Sequence, residues 1–168
     1  MRQQISALYD VFYEASQLHS VFNKYLSSGI QNSEQIIHDA LLEKSLVHTR
    51  NLMDFFETTR DKALKATFPD LRITTDIDDV ICEDFGEPPR ILFVEADLRK
   101  RINKLVSHIT YSRSLMNKTY KPYDVFPPVL RECSDFFEQI RIKKHALPAQ
   151  LHPTAVDRFV DECIQYYG

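Results

Sequence analysis

The sequence predicts an all-α protein, an antiparallel bundle of four to five helices that forms a single domain over residues 1–168. Glycine is scarce, with three in 168 residues, whereas a β-rich chain of this length needs more of the tight turns that glycine favours. Apolar residues recur every three to four positions over long stretches, which is the period of an amphipathic helix. The connections between these stretches are short, which favours antiparallel neighbours.

The first predicted helix spans residues 4–27, and Gly29 ends it. A second apolar stripe along this helix predicts that it is buried on two sides. The second helix runs from residue 35 to about residue 59, after a capping-box pattern in Asn32-Ser-Glu-Gln35. Its apolar stripe contains Ile37, Leu41, His48, Leu52 and Phe55.

Residues 60–90 are the least regular part of the chain. DDVICEDF, residues 78–85, predicts a short helix opened by Asp78 or Asp79. The carboxylates of this segment could bind Mg²⁺ or Ca²⁺, but the glycine and the alternating ligands of a calcium loop are missing, and helix capping explains them more simply. The six histidines form no HxxxH or HExxH pattern, so the sequence predicts neither a metal site nor a cofactor.

Three more helices complete the predicted bundle. The third runs from about Pro89 to Met116, and proline is favoured in a first turn. YKPYDVFPP, residues 120–128, is predicted as a loop, and the fourth helix spans about 128–144. The last helix begins at Pro153 or Thr154 and ends near Tyr166.

The net charge of −3 argues against a generally basic nucleic-acid binder. The charges are unevenly distributed, because residues 76–97 hold eight acids and one arginine, whereas residues 100–121 hold six Lys or Arg and no acid. Two interpretations stay open. The charges either compensate one another inside the bundle or form a local anion-binding face.

Cysteine usage and hydropathy bear on the compartment. Three cysteines without a CxxC pair predict reduced thiols and a cytoplasmic location. Asp10 and Glu14 interrupt the N-terminal apolar run, so no signal peptide is predicted. The sequence has no run of about 18 apolar residues, so no membrane span is expected.

The stretch RINKLVSHITYSR, residues 101–113, carries the candidate catalytic residues. Arg101 and His108 are seven residues apart, hence on one face of the third helix, at the shoulder of its apolar stripe. Lys104 and Tyr111 lie close to the same face. A histidine transfers protons near neutral pH and an arginine stabilises phosphate charge, while RNA supplies its own 2′-hydroxyl nucleophile. The pattern therefore suits metal-free phosphodiester cleavage.

A plain structural interpretation competes with this one. Arg101 and Lys104 are then solvated charges on a helix shoulder, and His108 bonds to a neighbouring carbonyl. His48 is likewise either a buried, hydrogen-bonded core residue or part of a cleft. In the cleft, the second and third helices pack face to face, and His48 and Asn51 approach Arg101 and His108.

At these residues the chain resembles the HEPN superfamily, the higher-eukaryote-and-prokaryote nucleotide-binding helical bundles. The Arg-x4–6-His signature of that superfamily reads Arg101-INKLVS-His108 here. The resemblance implies a bundle of four or more helices, often a dimer with the Arg/His sites at its interface. Many members are metal-independent ribonucleases in toxin or antiviral systems, and others have no catalytic role. Many active members carry a polar residue directly after the arginine, where this chain has Ile102 followed by Asn103.

The chain also resembles a family of uncharacterised bacterial proteins that pair an HxRNLxDF stretch with an RINKxxxHxTYxR stretch. Here these read HTRNLMDF, residues 48–55, and RINKLVSHITYSR, residues 101–113. The DDVICEDF segment lies between them. This resemblance implies no known activity.

Together these observations predict a HEPN-like protein that binds RNA or cleaves it without a metal, in a defence or toxin–antitoxin system. Whether the chain is an enzyme stays open, and as an enzyme it would be an endoribonuclease. The alternative is a non-catalytic helical module that binds a protein or a nucleotide. The predicted partners are RNA, a cognate protein and a second copy of the chain in a homodimer, with no membrane. The predicted catalytic residues are Arg101 and His108, and the predicted substrate-binding residues are Asn103, Lys104, Tyr111, His48 and Asn51.

Overall fold

The computed structural model describes residues 2–27, 35–92, 99–100, 102–103, 121–143 and 147–167. Most of these residues are helical, which confirms the predicted all-α bundle. A 3₁₀ helix spans Cys82–Phe85, and two short strands, β1 (Thr58–Thr59) and β2 (Arg72–Ile73), pair in parallel. Residues 99–100 and 102–103 are helical as well. The α-helices within the described ranges are α1 (Arg2–Ser27), α2 (Gln35–Glu57), α3 (Lys62–Thr67), α4 (Pro122–Ile142) and α5 (Pro153–Tyr167).

Side-chain pairs give the relative direction of α1 and α2. Lys44 donates to Gln17, and His48 bonds to Glu14. Because the position on α2 rises as the position on α1 falls, the two helices are antiparallel. The first helix was predicted to be buried on two sides, and α1 does bury residues along its whole middle part, among them Leu8, Val11, Ala15, Leu18 and Phe22.

The long helix α1 lies between the other three long helices. The ring of Phe12 contacts the rings of Phe137 in α4 and Phe159 in α5. α4 and α5 are antiparallel, since Phe137 also contacts Phe159 and Arg141 pairs with Asp157. α1 therefore contacts all three of the other long helices, and so does α4, through Phe136 and Phe137.

The core is aromatic where α2, α4 and the 3₁₀ helix meet. Phe136 is fully buried and contacts four rings in edge-to-face geometry, with centroid distances of 5.2 to 5.9 Å. Such ring pairs stabilise a core beyond the area that they bury. Ile102 belongs to the same core and is 1% exposed. The four rings around Phe136 are those of Phe55, Phe56, Phe85 and Phe137.

The start of the predicted 78–85 helix is wrong, because the 3₁₀ helix begins only at Cys82. The carboxylates that precede it bond within turns, where Asp76 accepts the N–H of Asp78 and Asp79 accepts the hydroxyl of Thr74. Asp84 then accepts the N–H of Ile81 at the start of the 3₁₀ helix. Short acidic side chains compete in this way with regular helical bonding.

The predicted start of the third helix at Pro89 is also wrong, since residues 89–92 are not helical. The Arg90 N–H donates to the Phe56 carbonyl at 2.8 Å, and the Leu92 N–H donates to the Glu57 carboxylate at 3.1 Å. These donors satisfy the end of α2 instead of opening a new helix. Residues 90–92 therefore lie beside the C-terminal end of α2 and bond to it.

The prediction of a loop over 120–128 is wrong, because α4 begins at Pro122. Pro122 occupies the first turn, where the missing N–H has no partner in any case. Pro127 and Pro128 lie inside α4 and leave the carbonyls of Tyr123 and Asp124 without their usual donors. Both of those residues are exposed, so water can bond to these carbonyls.

Two predictions concern α2 and the residues that precede it. Ile37, assigned to the apolar stripe, is 49% exposed, so the buried stripe begins further along the helix. Gly29 and the Asn32 capping pattern lie outside the described residues.

Among the helices that the structure describes, none is long and apolar enough to cross a membrane.

Candidate functional site

The structure describes His48, Asn51 and Asn103 among the predicted site residues. The others, Arg101, Lys104, His108 and Tyr111, fall outside the described residues. The described part of the site therefore consists of the α2 stretch HTRNLMDF, the beginning of the segment that carries RINKLVSHITYSR, and the residues that touch them.

His48 is buried, with 6% of the residue exposed, and Glu14 of α1 holds it. The Nδ1 atom lies 2.6 Å from Glu14 Oε2, and an ionised carboxylate can only accept, so Nδ1 carries the hydrogen. Nε2 is buried and has no hydrogen-bond partner among the described residues. An imidazole oriented by a carboxylate through one nitrogen presents the other as a proton acceptor.

Asn51 lies one turn after His48 and donates to the same Glu14 Oε2 atom at 3.2 Å. It is exposed and lines a cleft of about 300 Å³ between α2 and residues 72–81. Asp54, Arg72 and Asp79 are the charged groups of this cleft, and Arg72 is paired with Asp54. Two carboxylates against one paired cation disfavour a phosphate here. The cleft thus suits a neutral polar group better than an anion.

Glu57, the last residue of α2, binds the segment that leads into RINKLVSHITYSR. It is 2% exposed, and its Oε1 atom accepts from the Leu92 N–H at 3.1 Å and from Arg99 Nη2 at 2.7 Å. Arg99 Nη2 also donates to the Leu92 carbonyl at 3.2 Å. Burial raises the pKa of the Glu57 carboxyl to about 7, against the opposing attraction of Arg99.

Asn103 and Ile102 show how the described start of this segment faces the bundle. Ile102 points into the core, and Asn103 is half-buried. Residues along an α-helix follow one another at about 100°, so residues on either side of Ile102 lie on opposite flanks. Asn103 follows Arg99 by four residues and shares its flank. This geometry separates Asn103 from the flank expected for Arg101.

Acidic side chains of the 76–97 segment bond to Thr59 and Arg60, at the end of β1. Arg60 donates to Asp84 at 2.7 Å and to the Asp79 carbonyl, while Glu83 accepts from the Thr59 hydroxyl and the Arg60 N–H. These bonds join β1 to the 3₁₀ helix. Among the residues that the structure describes, no group of three or more His, Cys, Asp or Glu is placed to hold a metal ion.

A second cleft, of about 530 Å³, lies between α1 and the beginning of α5. Its buried histidine, His19, is 7% exposed and has partners on both ring nitrogens. Nδ1 lies 3.2 Å from the Tyr167 hydroxyl, and Nε2 lies 2.9 Å from Glu162 and 3.0 Å from Asn23. With both nitrogens occupied, His19 holds α1 to α5 and is not available as a base.

Sequence reasoning missed Glu14, Glu57 and Arg99. A usable signal existed for Glu14, which is an acid within a helix that is apolar on two sides. Glu57 and Arg99 stand two residues outside the HTRNLMDF and RINKLVSHITYSR stretches, and periodicity gives no reason to pair them. Comparisons of this chain with protein-family models, with curated proteins and with solved structures find no match.

Proposed function

We propose that the chain is a HEPN-like RNA-binding protein that cleaves RNA without a metal ion. In this proposal the RNA 2′-oxygen attacks the adjacent phosphorus, the bond to the 5′-oxygen breaks, and a cyclic phosphate remains. His108 accepts the proton of the attacking 2′-hydroxyl and then donates it to the leaving 5′-oxygen. Arg101 stabilises the charge that develops on the phosphate, and Lys104 and Tyr111 help to position the substrate.

The observation that carries the proposal is a contact between residues that flank the two sequence stretches of the resemblance. Glu57 follows HTRNLMDF by two residues, Arg99 precedes RINKLVSHITYSR by two, and these two side chains form a buried ion pair at 2.7 Å. The C-terminal end of α2 therefore adjoins the beginning of the segment that carries Arg101. Such a contact is required if the two stretches form one site.

The same pair supports a role for His48. The sequence predicts that the helix described at residues 99–100 and 102–103 continues to Met116, and an antiparallel course along α2 follows the pattern of the bundle. His48 and His108 each lie nine residues from the Glu57–Arg99 pair. At about 1.5 Å rise per residue, both would then lie roughly 13.5 Å from it, at one level. His48, with its Nε2 unpaired within the described structure, is the candidate second proton-transfer group.

A cleavage assay in EDTA tests the proposal. We expect wild-type protein to cleave mixed RNA and His108→Ala to slow cleavage on the order of 10²- to 10⁴-fold, the usual contribution of acid–base catalysis. Arg101→Ala should slow cleavage as well, because the phosphate loses its cation. The matched controls are His152→Ala and Arg131→Ala, which change exposed residues and should leave the rate unchanged. Absence of cleavage by the wild type would contradict the enzymatic proposal.

One described feature favours the second candidate, a non-catalytic module that binds a protein or a nucleotide. Ile102, directly after Arg101, is 1% exposed. Many active members of the HEPN superfamily carry a polar residue at this position, whereas here it is part of the hydrophobic core. Fluorescence anisotropy with labelled RNA separates the two candidates. Binding without cleavage would favour an RNA-binding module, and the absence of both would favour a protein partner.

A further inference from the structure

The hydrogen-bond network of Glu57, Leu92 and Arg99, which we call the clamp, connects three separate positions of the chain. A single carboxylate oxygen, Glu57 Oε1, accepts from both Leu92 and Arg99, and Arg99 donates back to the Leu92 carbonyl. The clamp therefore bonds residues 92 and 99 to each other and both to the last residue of α2. Each of its three bonds is between 2.7 and 3.2 Å.

The clamp is almost sealed from solvent. The side chains of Glu57 and Arg99 are 3% and 18% exposed, and Arg99 Nε is buried without a hydrogen-bond partner among the described residues. Burial raises the pKa of Glu57 to about 7 although Arg99 lies beside it. Desolvation of the carboxylate therefore outweighs the attraction of Arg99, and a buried ion pair of this kind is weak evidence for stability.

A buried ion pair can fix geometry whatever it contributes to stability, because its hydrogen bonds are directional. Ile102, three residues after Arg99, packs in the core. The clamp and Ile102 together attach residues 99, 100, 102 and 103 to the end of α2 and to the core, which constrains both their rotation and their axial position. Ile102 alone would permit sliding along the apolar surface.

We propose that Glu57 is a positioning residue, which fixes the residues 99–103 against the end of α2 so that the segment carrying Arg101 holds one register. The effect on cleavage rests on the proposed function, whereas the effect on the register does not. Positioning of this kind matters because a displacement of about 1 Å can cost on the order of 10²-fold in rate.

The test compares Glu57→Ala, which removes the acceptor, with Glu57→Gln, which keeps an acceptor oxygen without the charge. Amide hydrogen exchange at Leu92 and Asn103, measured by NMR on the full chain, reports the register. We expect Glu57→Ala to speed exchange at both amides by at least about tenfold and Glu57→Gln to restore most of the protection. Arg99→Gln, which should loosen Asn103 more than Leu92, serves if Glu57→Ala does not fold.

The matched control is Glu87→Ala. Glu87 is 5% exposed and pairs with Arg90 and Lys143, so its loss breaks a buried ion pair outside the clamp. It should leave exchange at Asn103 unchanged. Faster exchange at Asn103 in this control, or unchanged exchange in Glu57→Ala and Arg99→Gln, would overturn the proposal.

Cleavage kinetics give the second readout. Glu57→Ala should lower kcat about tenfold to a hundredfold with little change in KM, because Arg101 is displaced while substrate contacts elsewhere remain, and Glu57→Gln should recover most of kcat. An active Glu57→Ala enzyme with an opened clamp and wild-type kcat would overturn the catalytic role alone. If the wild type does not cleave RNA, the proposed function fails, and exchange decides whether Glu57 fixes the register.

Discussion

His48 fits one of the two interpretations that its sequence position left open, whereas the cleft with Arg101 and His108 involves residues outside the described structure. It is a buried, hydrogen-bonded residue, as a core histidine should be, and Glu14 fixes its orientation through Nδ1. Its Nε2 has no partner in the part of the chain that the structure describes. The stability of the fold and the proposed chemistry therefore depend on different nitrogens of one ring.

Replacement of His48 tests the first of these roles. We expect His48→Ala to lower the free energy of unfolding by about 1–3 kcal/mol, because Glu14 loses its buried donor and the ring leaves a void. Asn51→Ala is the control, since it removes the other donor to Glu14 from an exposed site and should cost about 0.5 kcal/mol. Urea denaturation of both variants measures the difference, and an unchanged midpoint for His48→Ala would contradict it.

Glu57 makes stability depend on pH in a definite direction. Burial raises its pKa from 4.5 to about 7, so the folded chain holds this proton more tightly than the unfolded chain does. The contribution to stability is therefore complete below about pH 4.5 and is lost as the pH rises through about 7. Relative to Glu57→Gln, the wild type should lose on the order of 3 kcal/mol over this range.

Denaturation of both proteins at several pH values measures this loss. The difference between wild type and Glu57→Gln cancels the other titrating groups that the two chains share. A difference that is flat between pH 4.5 and 7.5 would show that the Glu57 carboxyl is not desolvated in the folded chain.

At the scale of elements, the junction of α2, α4 and the 3₁₀ helix depends on one ring. Phe136 is fully buried and contacts four other phenylalanines. We expect Phe136→Ala to cost about 3–5 kcal/mol, because a dense aromatic cluster cannot collapse into the void. Phe68→Ala, at a residue that is 47% exposed, should cost less than about 1 kcal/mol. Calorimetry that finds equal costs would contradict the packing described for this junction.

The 3₁₀ helix is followed by Gly86, whose backbone conformation favours glycine. Gly86 has φ of 73°, and a Cβ atom there would meet no atom within 4 Å. The cost of Gly86→Ala is therefore backbone strain without a clash, about 1–2 kcal/mol. Gly86→Asn should cost less, because asparagine tolerates this conformation better. Thermal unfolding of the two variants ranks them, and an alanine variant as stable as the wild type would contradict the strain.

At the scale of the whole molecule, periodicity was sufficient for the long helices because each buries a continuous stripe. α1 was predicted over 4–27 and spans Arg2–Ser27, and α5 was predicted to begin at Pro153 or Thr154 and begins at Pro153. Local rules failed where tertiary contacts decide. The three prolines of α4 indicated a loop. The helix tolerates Pro122 in its first turn, and it tolerates Pro127 and Pro128 because the carbonyls that they leave without donors belong to exposed residues. Strands of two residues are too short for any alternation to be read.

The candidate site shows the same division between local and tertiary information. The sequence could predict that His48 lies on an apolar stripe and that the residue types around it suit phosphate chemistry. It could not predict Glu14 or Arg99 as partners, because the pairs His48–Glu14 and Glu57–Arg99 join residues 34 and 42 positions apart. For the acidic segment, charge patterning left two interpretations open, and both depend on residues 100–121, most of which lie outside the described residues. The link of the acidic segment to β1 through Arg60 became visible only in three dimensions.

The packing of α1 against α5 has a consequence for how the chain emerges during synthesis. One side of α1 is covered by α5, through Phe12 against Phe159 and through His19 and Asn23 against Tyr167. A ribosome adds about 5–20 residues per second, so α5 is synthesised on the order of ten seconds after α1. During that interval the apolar side of the nascent helix has no native cover, and a shielding chaperone would find its binding surface there.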